Sequence, residues 1–326
     1  MSDVKISELP VATVVNATDV VPIVQTGTTK QAAASLFGSS AATVFSNPGG
    51  RLTTESGVPV SMSDRTSQGT LYYTPYQHNN IYTYSGSAWV AKTFSEISLS
   101  LSVTSGNNYD VFINSAATAL SLSSAWTTDT SRADALGTQD GVVVLNSDHT
   151  KLWLGTIRAS GSNVIADSGG GVTNQVGGTR FVWNAFNRVT RPIKVIDTGD
   201  NWSYTTNTIR QAHGASGNKI EYVTGDASVN IDATVHGLSL VQDTAVVSGV
   251  GVGIDSTTTF SGVVQTAYDS NAVGALYQTI GRFVGAPGLG YHYVSWNEKG
   301  TVNVCIFLGD NGGDSSQSGL IVTGEF

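Results

Sequence analysis

From Leu71 onward the chain is a succession of short runs in which apolar and small polar residues alternate, each run closed by Gly, Ser or Asn. That period of two belongs to strands with one buried face, and it constrains the fold more than any other feature. Ile97-Ser98-Leu99-Ser100-Leu101-Ser102-Val103 sets every apolar side chain on one side. Residues 81–84 and 88–90 flank Ser85-Gly86-Ser87, which reads as a hairpin with a Gly-centred turn. Further strands are expected at 109–113, 141–145, 152–157, 181–186, 193–197, 202–206, 219–223, 229–235 and 246–254. The runs 276–284, 291–296, 302–308 and 320–323 read as a closing meander. No fixed-period repeat is visible, which removes β-helix and propeller architectures. The expected fold class is therefore all-β: an antiparallel β-sandwich or jelly-roll-like body.

Composition points the same way. Asp, Glu, Lys and Arg make up only 12% of the 326 residues, where about 25% is usual, and 37 residues are Gly. The missing polar surface comes from Ser, Thr, Asn and Gly, which suit strands and tight turns and suit helices badly. With 24 acidic against 16 basic side chains the formal net charge is −8, which disfavours nucleic acid as a partner. The single cysteine, Cys305, forbids an intrachain disulfide or a Cys-based zinc cage. Neither the opening residues nor any later run is apolar over enough length to suggest a secretion signal or membrane insertion.

Three zones follow along the chain. Residues 1–46 contain no Tyr or Trp and only short apolar clusters, too little to bury a core alone, so this zone is expected to extend and to be ordered by symmetry mates or another protein. A short helix is expected over 30–37. Residues 47–70, with Asn47-Pro48-Gly49-Gly50 and Ser56-Gly57-Val58-Pro59, read as a linker. Residues 71–326 are the β body, and a division of it into two subdomains would fall near 240–262.

Constellations for chemistry are absent from the pattern. There is no Gly-x-Ser-x-Gly elbow, the five histidines are scattered, and Asp310-Asn311-Gly312-Gly313-Asp314 lacks calcium-loop spacing. No catalytic residue, metal or cofactor is expected. Gly249, Gly251 and Gly253 alternate with Val250, Val252 and Ile254, so a strand here would set three glycines on one face; this reads either as tight sheet or subunit packing or as a mobile Gly-rich loop. Residues 168–196 hold no acid but carry Arg180, Arg188, Arg191 and Lys194 among Phe181, Trp183 and Phe186. These cations either pair with acids elsewhere, such as Asp197, Asp200 or Glu221, or meet an acidic glycan or subunit. The tyrosine-rich stretch from Tyr72 to Trp89 reads as core and cross-strand packing, with sugar stacking as the other reading.

The opening segment resembles the N-terminal segment of bacteriophage tail-fibre and other virion appendage proteins. The resemblance rests on Lys5-Ile6-Ser7-Glu8-Leu9-Pro10, Thr18-Asp19-Val20-Val21-Pro22-Ile23-Val24-Gln25, Gly27, Thr29-Lys30-Gln31 and Ala32. Thr70-Leu71-Tyr72-Tyr73 and Arg180-Phe181-Val182-Trp183-Asn184 in the body are similar to stretches of phage structural proteins. The resemblance implies a virion protein, assembled in the host cytoplasm, that attaches through Lys5, Ile6, Leu9, Pro10, Asp19, Val21, Pro22, Val24 and Gln25. It implies a homotrimer bound to tail, neck or capsid proteins, with host-surface glycan as a further partner. A capsid-decorating protein and a virion-borne glycan-degrading enzyme are the competing readings.

Overall fold

The computed structural model describes residues 20–33, 47–170, 177–264, 266–269, 272–301, 303–310, 312 and 316–326. Among these the chain is all-β, and it divides into two units, Met1–Ser46 and Asn47–Phe326. In the first unit, Val20–Gln25 pairs antiparallel with Thr28–Ala33. The connection is Thr26-Gly27, with φ of 52° and 76°. Positive φ at both positions gives a two-residue loop the twist that a tight hairpin requires. The helix expected over 30–37 is corrected over 30–33, which is strand; the ladder satisfies that backbone, and alanine's helix propensity is too weak to oppose it. Residues 34–37 lie outside the described residues.

The second unit is a β-sandwich. A fourteen-stranded sheet packs against a seven-stranded one, beside a three-stranded sheet and the hairpin Asn80–Tyr84 with Trp89–Thr93. The inner faces are written in the sequence. In Ile231–Val241 every second side chain is buried, and in Thr190–Ile196 Arg191, Ile193 and Val195 point inward while Thr190, Pro192 and Lys194 point out. The main core forms between the two large sheets, with Ile220, Val250, Val252 and Trp296 meeting Ile193, Val235, Leu320 and Val322. A second core gathers Leu52, Leu71, Ile81, Val111, Leu152 and Ile157. Among the described residues pairing is antiparallel except between Thr179–Arg180 and Lys219–Thr224, which run parallel.

Three expectations are corrected. Residues 47–70 are no linker: Gly50–Thr53 is a fully buried strand paired with Thr70–Pro75, and Arg65–Gln68 pairs with Val164–Ser168. The closing strands form no meander. Ile231–Val241, Leu276–Gly285, Cys305–Leu308 and Gly319–Glu325 belong to the seven-stranded sheet, while Val246–Ile254 and Gly290–Lys299 belong to the other, so the chain repeatedly changes sheet. Alternation tells which side chains are buried but not which sheet a strand joins. For the same reason no subdomain boundary falls near 240–262: Val246–Ile254 is paired on both sides, with Gly290–Lys299 and Thr266–Asp269.

One buried carboxylate ties the second core to the first. Asp110 lies in Asn108–Ile113, buried along its whole length, and is itself fully enclosed. It accepts hydrogen bonds from Trp126 Nε1 and Trp153 Nε1, each at 3.0 Å, from Thr156 Oγ1 at 2.8 Å and from Arg132 Nε at 2.8 Å. The Arg132 guanidinium lies over both tryptophan rings, 4.6 and 5.4 Å from their centroids.

Candidate functional site

The most distinctive polar cluster is built on Asp167. Its strand, Val164–Ser168, has Arg65–Gln68 on one side and Thr179–Arg180 on the other, so that Asp167 stands opposite Arg65 and Arg180. Cross-strand positions bring opposite charges together. Arg180 Nη1 donates to Asp167 Oδ1 at 2.8 Å. The other oxygen is met from the opposing sheet: Arg191, the first inward side chain of Thr190–Ile196, donates through Nη1 at 2.7 Å. One carboxylate thus bridges two sheets through two guanidiniums, and all three residues are buried.

The remaining donors turn to main-chain oxygens. Arg191 Nη2 donates to Ser61 O, and Arg180 Nη2 to Pro192 O at 3.3 Å. Arg180 Nε is buried with no acceptor. Arg51, 2% exposed, donates only to main-chain oxygens of Pro59, Asn187 and Phe326. Its guanidinium is pushed down to about 10, first by burial and then by the charge of Arg191. Burial also lowers Arg180, against the pull of Asp167. Two buried guanidiniums therefore share the Asp167 carboxylate, and the third, Arg51, rests on the oxygens of Pro59, Asn187 and Phe326.

Beside this cluster lies a cleft of about 520 Å³. Arg180, Arg191 and Lys194 line it, with Asp64 as its one carboxylate, and Met62 and Pro192 give it apolar wall. Asp64 Oδ1 is held by the Gly169 amide at 2.8 Å.

The cationic stretch seen in the sequence therefore splits. Arg180, Arg191 and Lys194 reach one cleft, whereas Arg188 is exposed and lies over Trp183, 5.4 Å from the ring centroid. Phe181 and Trp183 are core. The acids expected as partners are corrected: the pairing acid is Asp167, while Asp197 holds His213 and Asn218, and Glu221 holds Lys219. Asp167 and Arg51 were missed, Asp167 because it falls just before the acid-free stretch and Arg51 because its surroundings look like a linker. Asp110 did leave a signal, as an acid inside the apolar run Tyr109-Asp110-Val111-Phe112-Ile113.

Gly249, Gly251 and Gly253 lie in the strand Val246–Ile254 and are buried. A Cβ on Gly251 would come within 2.4 Å of the Phe260 ring, and one on Gly253 within 2.1 Å of Ser256 O. The opposite sheet also comes close, since a Cβ on Gly281 would lie 2.5 Å from Gly251 Cα. These neighbours all belong to the same chain. Of the attachment residues, Val21, Pro22, Val24 and Gln25 lie in the N-terminal hairpin. Lys5, Ile6, Leu9, Pro10 and Asp19 lie outside the described residues, as do Asn311, Gly313 and Asp314. Among the described residues no group of His, Cys, Asp and Glu is arranged to hold a metal ion, and no helix is long and apolar enough to cross a membrane. In the tyrosine-rich stretch Tyr73 is buried and stacks on Phe94, ring centroids 4.9 Å apart, whereas Tyr76 is exposed.

No family model and no curated protein matches the sequence. Among solved structures, T=1 particles derived from infectious bursal virus are similar over 86% of this chain and 70% of theirs, with 10% identity and a TM-score of 0.27. The VP2 subviral particle of infectious bursal disease virus covers 81% of this chain and 73% of its own, with 11% identity and a TM-score of 0.26. Scores of this size do not establish a common topology.

Proposed function

We propose that the chain is a non-enzymatic structural component of a bacteriophage virion. Residues 1–46 dock it, as a homotrimer, to a tail or neck protein, and the β-sandwich body presents surfaces to the host or to neighbouring subunits. The observation that carries the reading is the N-terminal segment, whose ordered pieces from Lys5 to Ala32 resemble virion-attachment segments. Its hairpin supports the reading physically. A two-stranded sheet is marginal by itself, and the outer edges of Val20–Gln25 and Thr28–Ala33 carry main-chain groups that another strand can pair with. The body supports it through its sparse charge and its surface of Ser, Thr and Asn, suited to contact rather than to chemistry.

Two measurements test this. Light scattering on the purified full chain is expected to give three times the chain mass, and a monomer with an ordered N-terminus overturns the trimeric anchor. Cryo-electron microscopy of intact particles is expected to place the chain at the tail or neck. A position spread over the capsid lattice overturns the tail assignment, and absence from the particle overturns the virion reading.

A further inference from the structure

We propose that the cleft lined by Arg180, Arg191 and Lys194 binds an acidic saccharide, through a sugar ring that carries a carboxylate or sulfate. The assignment concerns the cleft alone and stands whether or not the chain belongs to a virion. Three cationic residues line this space against one carboxylate, Asp64, which accepts a hydrogen bond from the Gly169 amide. Behind them Asp167 is shared between two guanidiniums, and Arg51 adds a third buried cation, held by oxygens of Pro59, Asn187 and Phe326. The local excess of positive charge survives in a −8 protein, because charges more than about 10 Å away are screened at ordinary salt. Guanidiniums held rigidly by Asp167 are preorganised donors, which suits planar or tetrahedral oxyanions.

The shape of the site favours a sugar over an acidic peptide side chain. About 520 Å³ is the size of a small-ligand pocket, and one Glu side chain would leave most of it empty. Beside the cations stand the hydroxyl residues Ser63 and Thr190, main chain at Gly169 and Gly170, and the apolar Val60 and Met62. A ring with hydroxyls on its edge and carbon on its face meets both kinds of wall.

Lys194 allows a clean test, since its side chain is exposed and projects from the outer face of its strand. Titration calorimetry of the full-length protein with trigalacturonate and with a sulfated chondroitin oligosaccharide is expected to show binding to at least one. Lys194→Glu is expected to weaken that binding about tenfold, Lys194→Arg to retain it, and the remote Lys92→Glu to leave it unchanged. Raising NaCl from about 50 to 500 mM is expected to weaken it severalfold. The proposal is overturned if neither acidic sugar binds, if neutral maltotriose binds equally well, or if Lys194→Glu has no effect. A poly-glutamate peptide that binds as tightly as the sugars overturns the saccharide assignment in favour of a protein partner.

Discussion

Two enclosed carboxylates are each met by an arginine and by an indole N–H. Asp110 accepts hydrogen bonds from four side chains, among them the Arg132 guanidinium that carries its countercharge. Asp110→Asn turns one acceptor into a donor aimed at donors and leaves Arg132 uncompensated. The expected cost is roughly 3–5 kcal/mol, read as a shift of the urea midpoint, and a cost below about 1 kcal/mol would show that the carboxylate does not anchor the two cores. Glu298 is just as enclosed, and burial pushes its carboxyl above the ordinary 4.5 despite hydrogen bonds from Trp202 Nε1, Arg210 and the His213 amide. The folded form therefore holds this proton more tightly than the unfolded chain does. Stability from this group is full below 4.5 and is lost as pH rises through the raised value. Relative to Glu298→Gln, the wild-type thermal midpoint is expected to fall as pH rises above 4.5; a constant difference would sink the idea.

At the scale of elements, glycines mark where backbones approach. Gly251 faces Phe260 on one side and the crossing strand at Gly281 on the other. A methyl on Gly251 meets a ring that can shift, whereas a methyl on Gly281 meets the Cα of Gly251 at 2.5 Å and main-chain atoms beside it. Overpacking of this kind costs about 1–3 kcal/mol, so Gly281→Ala is expected to reach the upper end and Gly251→Ala the lower, measured by guanidinium unfolding. Equal, negligible costs would mean that the two sheets can slide apart. The Gly-Val alternation was legible in the sequence as a strand with a bare face, but what lies against that face was not. Gly49 and Gly50 show the limit from the other side. They read as turn residues of a linker, yet a Cβ on Gly49 would lie 2.2 Å from His78 O and one on Gly50 2.6 Å from the Tyr73 ring. Composition cannot separate a glycine placed for freedom from one placed for close approach.

Across the whole molecule, period-two runs revealed the fold class but not every strand, because they report burial, which is local. Sheet membership and the Asp167 cluster depend on which distant strands meet, as when Arg51, Asp167 and Arg191 converge from three separate regions of the chain. The domain boundary tests this distinction. Neither hydrophobic core contains a described residue before Leu52. A chain cut to 47–326 is therefore expected to keep its thermal midpoint within about 2 °C of the full-length protein. A cut to 71–326, at the end of the stretch that looks like a linker, removes Leu52 from the second core and Arg51 from the basic cluster. It also strips Gly50–Thr53 from one side of Thr70–Pro75 and Arg65–Gln68 from Val164–Ser168. Loss of the Leu52 side chain alone costs about 2–5 kcal/mol, so this fragment is expected to unfold far earlier or to aggregate. Equal midpoints for the two fragments would show that Gly50–Thr53 is an ornament of the body, and that turn chemistry had located the boundary correctly.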